Sequence, residues 1–320
     1  MMFIEDIFRT YWAPKLNTIQ SNNSIDLKSW LIKGDNYLIN SQIKSDEFEI
    51  SVYDRSDFLL PISKDCNRFS TSSIESVLKI ENHTILPKNI SWTLIKQYYS
   101  AFYSAHCTLR LLGFSLSQLD SDVINQVSIL ANHYNLKNGI NIETGYYMID
   151  YSKDSNIIKF NKIKVNKDGG SHVSLWKIYG DKIKFISSDL LLKFNDTNAQ
   201  SISEKLDNLI DNLQYVGSSN YSWLSRIRNE LNYKHNFGVW FPYNLPKNQV
   251  DMLKRNNDLW KSDILKIELK NLTGKEIIRF SNTCQFIIGL NNSICNDMAK
   301  RCPDGKSYLD NGFKKIINVA

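Results

Sequence analysis

The sequence predicts a mainly α-helical bundle interrupted by an inserted antiparallel β-meander. Three observations predict it. Apolar residues recur at helical spacing in several long stretches, residues 145–190 switch to alternation with a period of two, and 42% hydrophobic with 12% aromatic content over 320 residues suffices for one sizeable core plus insertions. The same composition excludes a disordered chain.

Residues 1–20 are expected to hold a short helix that Pro14 breaks. Asn22-Asn23-Ser24-Ile25-Asp26 offers N-cap chemistry, and 27–43 (LKSWLIKGDNYLINSQI) reads as an amphipathic helix despite Gly34. Residues 46–90 read as irregular, with about two short strands such as FEISVY and turns near Pro61 and Pro87. The stretch 91–113 is apolar on most sides, which implies a central buried helix ending at Gly113, and 119–136 reads as another helix.

From 145 to 190 the alternation of NIIKFNKIKVNKDGGSHVSLWKIYGDKIKFIS, with Asp168-Gly169-Gly170 and Gly180-Asp181 as turns, predicts the meander. Eight lysines and three aspartates between Lys153 and Lys184 make its surface basic, with Phe160, Trp176 and Tyr179 interleaved. That combination suits an RNA-contacting surface, or else an ordinary sheet with lysines on its wet face. Ser201 and Glu204 have capping-box spacing for a helix over 201–216. Gly217-Ser218-Ser219-Asn220 breaks the chain, a helix starts near Trp223, and Pro242 stops any continuation. Helix resumes in two segments over 248–300, where QFIIGLNNSI is expected to act as a C-terminal brace.

Charge and cysteine usage narrow the setting. Lys+Arg of 39 against Asp+Glu of 33 gives +6 and a pI near 8.8, which is compatible with RNA without being specific to it. Cys66, Cys107, Cys284, Cys295 and Cys302 are odd in number and lack a CxxC pair, so neither a metal site nor a disulfide framework is expected. The start MMFIEDIFRTYW carries acids early, unlike a signal peptide, and no segment approaches the roughly 20 apolar residues of a membrane span. A soluble, cytoplasmic protein without a membrane partner is the expectation.

The chemistry-bearing stretch is 223–235, WLSRIRNELNYKH. Arg228, Asn232 and His235 fall at i, i+4 and i+7, one face of a helix, beside an apolar stripe of Trp223, Leu224, Ile227 and Leu231. A guanidinium can hold the non-bridging oxygens of a phosphate and an imidazole can move a proton near neutrality. The alternative is a solvated polar face.

Arg228-Asn229, with His235 after six intervening residues, resembles the Arg-x(4–6)-His signature of the HEPN superfamily of helical nucleases. A second segment, 91–114 (SWTLIKQYYSAFYSAHCTLRLLGF), resembles an early HEPN core helix, in which a YYxAFY-like run is common. The resemblance covers about 24 residues of one helix and 13 of another. It implies N-terminal helices and an irregular segment completing the bundle over 1–90, core helices over 91–144, the basic meander inserted at 145–190, the motif-bearing core over 191–240 and a helical brace over 241–320.

Its functional implication is metal-independent cleavage of RNA, in which the 2′-OH attacks the adjacent phosphate. Arg228 would stabilise the developing charge, His235 would act as acid or base, and Asn229 would position the phosphate or the His. Asn232 and Tyr233 would touch substrate. No cofactor and no metal is implied. A homodimer is expected, with Trp223, Ile227 and Leu231 near its interface or in the core, and an inhibitory or activating protein partner in a toxin or antiphage setting. Tyr233 stands five positions after Arg228, where a tighter form of the motif has its His. That favours a second reading, a non-catalytic HEPN-like binding or adaptor module in a toxin–antitoxin or defence complex.

The remaining histidines carry no catalytic reading, and His172 reads as structural or exposed. His106 and Arg110 lie at i and i+4 and suit a buried, satisfied His beside an Arg, His172 sits in a turn-to-strand stretch, and His83 and His133 have no companions. No Gly-x-x-x-x-Gly-Lys, Gly-x-Ser-x-Gly or His-Glu-x-x-His occurs, and the carboxylates do not cluster, which disfavours a two-metal nuclease.

Overall fold

The computed structural model describes residues 3–20, 25–78, 90–164, 170–194, 196–272 and 274–319. Helix carries 62% of the chain and strand 9%, as the mainly α expectation requires. Asn22–Ser24, His83, Pro87 and the Asp168-Gly169 turn lie outside the described residues.

Two short helices open the chain, α1 (Ile4–Arg9) and α2 (Leu27–Lys33). Asp26 caps α2 by accepting the Ser29 N–H, and Gly34 at φ 70° ends it in the left-handed region that a side chain disfavours. The helix expected to reach 43 therefore stops at 33, and β1 (Tyr37–Ile39) and β2 (Glu47–Val52) follow. The next segment, read as irregular from its turn residues, is the long helix α3 (Arg55–Val77) with Pro61 at its seventh position. Its buried stripe is Phe58, Ile62, Cys66, Ser70, Ile74 and Val77, a helical repeat obscured by the serines within it. Ser73 of α3 meets Ser104 at 2.7 Å and Ser100 at 3.0 Å on α4 (Ser91–Leu111), so small hydroxyls pair where two helices approach closely.

After α4 come β3 (Phe114–Leu119), α5 (Ser121–His133), β4 (Gly145–Asp150) and β5 (Ile157–Lys162). The sheet is antiparallel throughout in the order β1-β2-β5-β4-β3. It is thus no local insertion, because only β4 and β5 come from the stretch expected to form a meander. Phe48 and Phe160, opposite each other in register, stack at 4.5 Å on the buried face, while Glu49 and Lys159 form a 2.8 Å ion pair on the other.

The second half of that stretch is a helix, α6 (Ser171–Lys193). Leu175, Tyr179, Ile183, Ile186 and Leu190 are buried at a 3.6-residue repeat, which outruns the period-two alternation once the window exceeds a few residues. Gly180 is no turn. It sits inside α6 with the Tyr221 ring against its backbone, where a Cβ would overlap the ring. That contact fixes the entry to α8 (Trp223–Tyr233). Between them, α7 (Thr197–Leu213) is capped by Asp196, which accepts from the Asn198 N–H, so Ser201 and Glu204 lie within the helix and not at its start.

Two helices, α9 (Lys247–Arg255) and α10 (Glu276–Lys300), precede the short α11 (Phe313–Ile317). Of these, α10 is a core helix that packs beside α4. Ser281 donates to Gln97 at 2.8 Å and Thr108 donates to Asn291 at 3.2 Å, bonds that satisfy polar groups buried between the two. Trp223, Leu224, Ile227 and Leu231 of α8 are wholly buried in the same core, so they are unavailable to a subunit interface. All five cysteines are buried and free. Among the described residues, no helix is long and apolar enough to cross a membrane.

Candidate functional site

Helix α8 delivers Arg228 to α4 and α6. One Nη–H of Arg228 donates to the Tyr99 hydroxyl at 2.8 Å, another to Asn229 Oδ1 at 2.7 Å, and a third contact runs to His172 Nε2 at 3.3 Å. The guanidinium carbon also lies 5.4 Å from the Tyr99 ring centre and 5.7 Å from that of Tyr98. Tyr98, Tyr99 and Phe102 belong to the aromatic run of α4, and His172 is in the first turn of α6.

Hydrogen bonding sets the imidazole tautomer. A guanidinium only donates, so His172 Nε2 presents its lone pair to Arg228. Nδ1 then carries the proton and donates to the Tyr98 hydroxyl at 2.8 Å, which also accepts from Trp176 Nε1 at 3.2 Å. Phe102 covers the ring at 4.3 Å between centres. Burial, and then the Arg228 charge, push the His172 pKa down to about 4, so the imidazole is neutral at physiological pH.

Among the described residues, no carboxylate pairs with Arg228. Its partners are a phenol, an amide and a neutral imidazole. Its Nε–H is buried without a hydrogen-bond partner. A half-buried cation with only neutral partners leaves its charge uncompensated, and an arriving anion meets no local competitor. That anion would also neutralise the guanidinium and let the His172 pKa rise towards its ordinary value. The arrangement can hold a phosphate and, beside it, accept a proton at His172 Nε2.

The expected site residues divide. Arg228 and Asn229 are together. Asn232 is half-buried on α8 and Tyr233 is 75% exposed at its last turn. His235 is elsewhere than the spacing implied, because α8 ends at Tyr233 and His235 takes a left-handed conformation (φ 51°). It is exposed and stacks on Trp240 at 5.2 Å, so Arg228, Asn232 and His235 do not share one helix face. The imidazole beside Arg228 is His172, which sequence reasoning set aside as structural or exposed because its segment looked like a strand. Read as a helix, that segment begins at Ser171 and carries His172 in its first turn, which is the missing signal.

A second Arg–His pair also contacts Phe102. His106 lies 4.8 Å from Phe102 and stacks on Phe69 at 4.8 Å, and Arg110 reaches His106 Nδ1 at 3.2 Å. Arg110 is ion-paired to Asp65 at 3.2 Å with both side chains largely buried. Burial, then Arg110, hold His106 well below its ordinary pKa. Among the described residues, no three His, Cys, Asp or Glu side chains converge as metal ligands. No family model, curated protein or solved structure matches the chain.

Proposed function

We propose that this chain is a HEPN-like, metal-independent endoribonuclease whose reactive pair is Arg228 and His172. The observation that carries the reading is the half-buried Arg228, without a carboxylate and beside a neutral imidazole that turns its lone pair inward. Supporting it, the two segments that carry the resemblance touch here, through Arg228 and Tyr99.

His172 Nε2 removes the 2′-OH proton as that oxygen attacks the adjacent phosphorus, and the P–O5′ bond breaks. The 5′-oxygen leaves with a proton from water, giving a 2′,3′-cyclic phosphate and a 5′-OH. Arg228 stabilises the charge that grows on the non-bridging oxygens, and Asn229 and Tyr99 hold the guanidinium in place. Tyr99 accepts from Arg228, which leaves its own proton free for a phosphate oxygen. In this reading His235 and Tyr233 contact substrate at the end of α8, and the protein acts as a toxin or antiphage effector restrained by a protein partner. A homodimer would form across exposed surface, since the apolar stripe of α8 is spent on the core.

The non-catalytic adaptor is the second reading, favoured by the exposed Tyr233 where the tighter motif has its His. Incubation of total RNA and tRNA in EDTA separates the two. The nuclease reading expects EDTA-resistant cleavage leaving cyclic phosphate ends, abolished by Arg228→Ala. A folded protein that leaves RNA intact supports the adaptor.

A further inference from the structure

One face of α4 continues beyond the Arg228 site as Trp92, Lys96, Tyr99 and Tyr103, residues spaced i, i+4, i+7 and i+11. Trp92 is 60% exposed although it begins a helix that is otherwise mostly core. Its ring meets Trp240 edge-to-face at 5.8 Å, and Trp240 also stacks with His235 at 5.2 Å. Trp240 is pinned by donating to the Leu231 carbonyl at 2.9 Å, and Ser91 donates to the Val239 carbonyl at 2.7 Å, so the loop after α8 is tied to the start of α4. The result is a rigid aromatic corner about 10 Å, seven residues of helix rise, from Tyr99 and Arg228.

The charge around this corner is positive. Lys96 and Lys234 are exposed, and neither is ion-paired among the described residues. Glu230 is the sole acid of α8 and accepts from Asn236 at 3.5 Å. Exposed aromatic faces alternating with unpaired cations suit a polyanion that carries flat rings.

We propose that the Trp92–Trp240–His235 corner is a base-stacking subsite that takes one unpaired nucleobase of the RNA strand whose phosphodiester sits at Arg228, with Lys96 on the intervening phosphate. The proposal rests on the RNA-cleaving reading of the Arg228 site for its ligand, but it concerns binding and not the bond that breaks. A base held in a duplex offers no free face to Trp92, so the subsite selects loops, ends and single strands over paired RNA.

The test measures binding of fluorescent 2′-deoxy and 2′-O-methyl oligonucleotides, both lacking the 2′-OH that cleavage requires, to the full chain in EDTA, single-stranded and annealed to a complement. Trp92→Ala is expected to weaken single-strand binding roughly tenfold, Trp92→Phe to restore most of it, and Lys96→Ala to flatten the salt dependence by about 0.7 in log–log slope. Because the readout is binding, an inactive nuclease that still shows these shifts upholds the subsite while the cleavage reading falls. Equal affinity of wild type and Trp92→Ala for the single strand overturns it. So does tighter binding of the duplex, or wild type that ignores both strands while Trp92→Ala disrupts a dimer, which would make the corner a protein interface.

Discussion

Two arginine–histidine pairs contact one phenylalanine in this fold, and they differ in how the arginine charge is met. Phe102 touches both His172, which Arg228 contacts, and His106, which Arg110 contacts. Arg110 is buried and closed by Asp65, which also receives Arg68 at 2.9 Å. Arg228 is half-buried and, among the described residues, has only neutral partners. The same two residue types therefore accompany a closed ion pair in one case and, in the other, an arginine whose partners among the described residues are all neutral. What distinguishes them is the third residue, Asp65, which has no counterpart beside Arg228 among the described residues.

The largest effects should separate the pairs by what is lost. Arg110→Ala leaves Asp65 with a single exposed partner and is expected to cost about 3 kcal/mol or more in a denaturant titration. Arg228→Ala should cost within about 1 kcal/mol in the same titration, yet lower RNA cleavage by about 100- to 1000-fold. Equal destabilisation by both substitutions would break the comparison.

Titration sharpens it further. The folded-state pKa of His172 is depressed to about 4, so between the unfolded value of about 6.5 and 4 the unfolded chain binds the extra proton. Folding stability is thus full above about pH 6.5 and declines as pH falls through that window, a decline that His172→Phe should reduce. His106 contributes in the same direction. Proton NMR distinguishes the two rings. Arg228→Ala removes one of the two causes at His172 and should raise its pKa, while His106, which feels the His172 charge but not Arg228 directly, should move less and in the opposite direction. Inorganic phosphate should move His172 upward in the same way.

A smaller effect follows from Gly180. A helix-interior glycine usually gains about 1 kcal/mol of stability on replacement by alanine. Here the new Cβ would overlap the Tyr221 ring that sets the start of α8, so Gly180→Ala is expected to cost about 1–3 kcal/mol instead. It should also perturb His172 and Arg228 before His106 and Arg110, which differential-scanning calorimetry with NMR can check.

Much of this was legible in the chain, but unevenly. Arg228 and Asn229 stand out because a guanidinium and an amide follow one another on an amphipathic helix bounded by a Gly-Ser-Ser-Asn break and a proline. The aromatic run around Tyr98 identified a buried helix, and its ends at 91 and 111 came close to expectation. Pro61 and a stripe of serines hid α3, since both mimic loop composition. His172 was hidden more deeply. It lies 56 residues before Arg228, and the first residues of α6 alternate well enough to pass for a strand. Only the longer repeat through Leu190 reveals a helix, and only tertiary packing brings its first turn to Arg228. His235 was misplaced for a local reason, because the spacing argument assumes a helix that continues two residues past its actual end at Tyr233.

The most direct test of the Arg228–His172 assignment compares His172→Ala with His235→Ala in single-turnover cleavage of an RNA oligonucleotide in EDTA, with product ends identified. The account predicts a loss of about 100-fold or more for His172→Ala, less than tenfold for His235→Ala, and cyclic phosphate ends wherever cleavage persists. Full activity in a folded His172→Ala protein, with loss in His235→Ala, would contradict it and return the acid–base role to the residue at the end of α8.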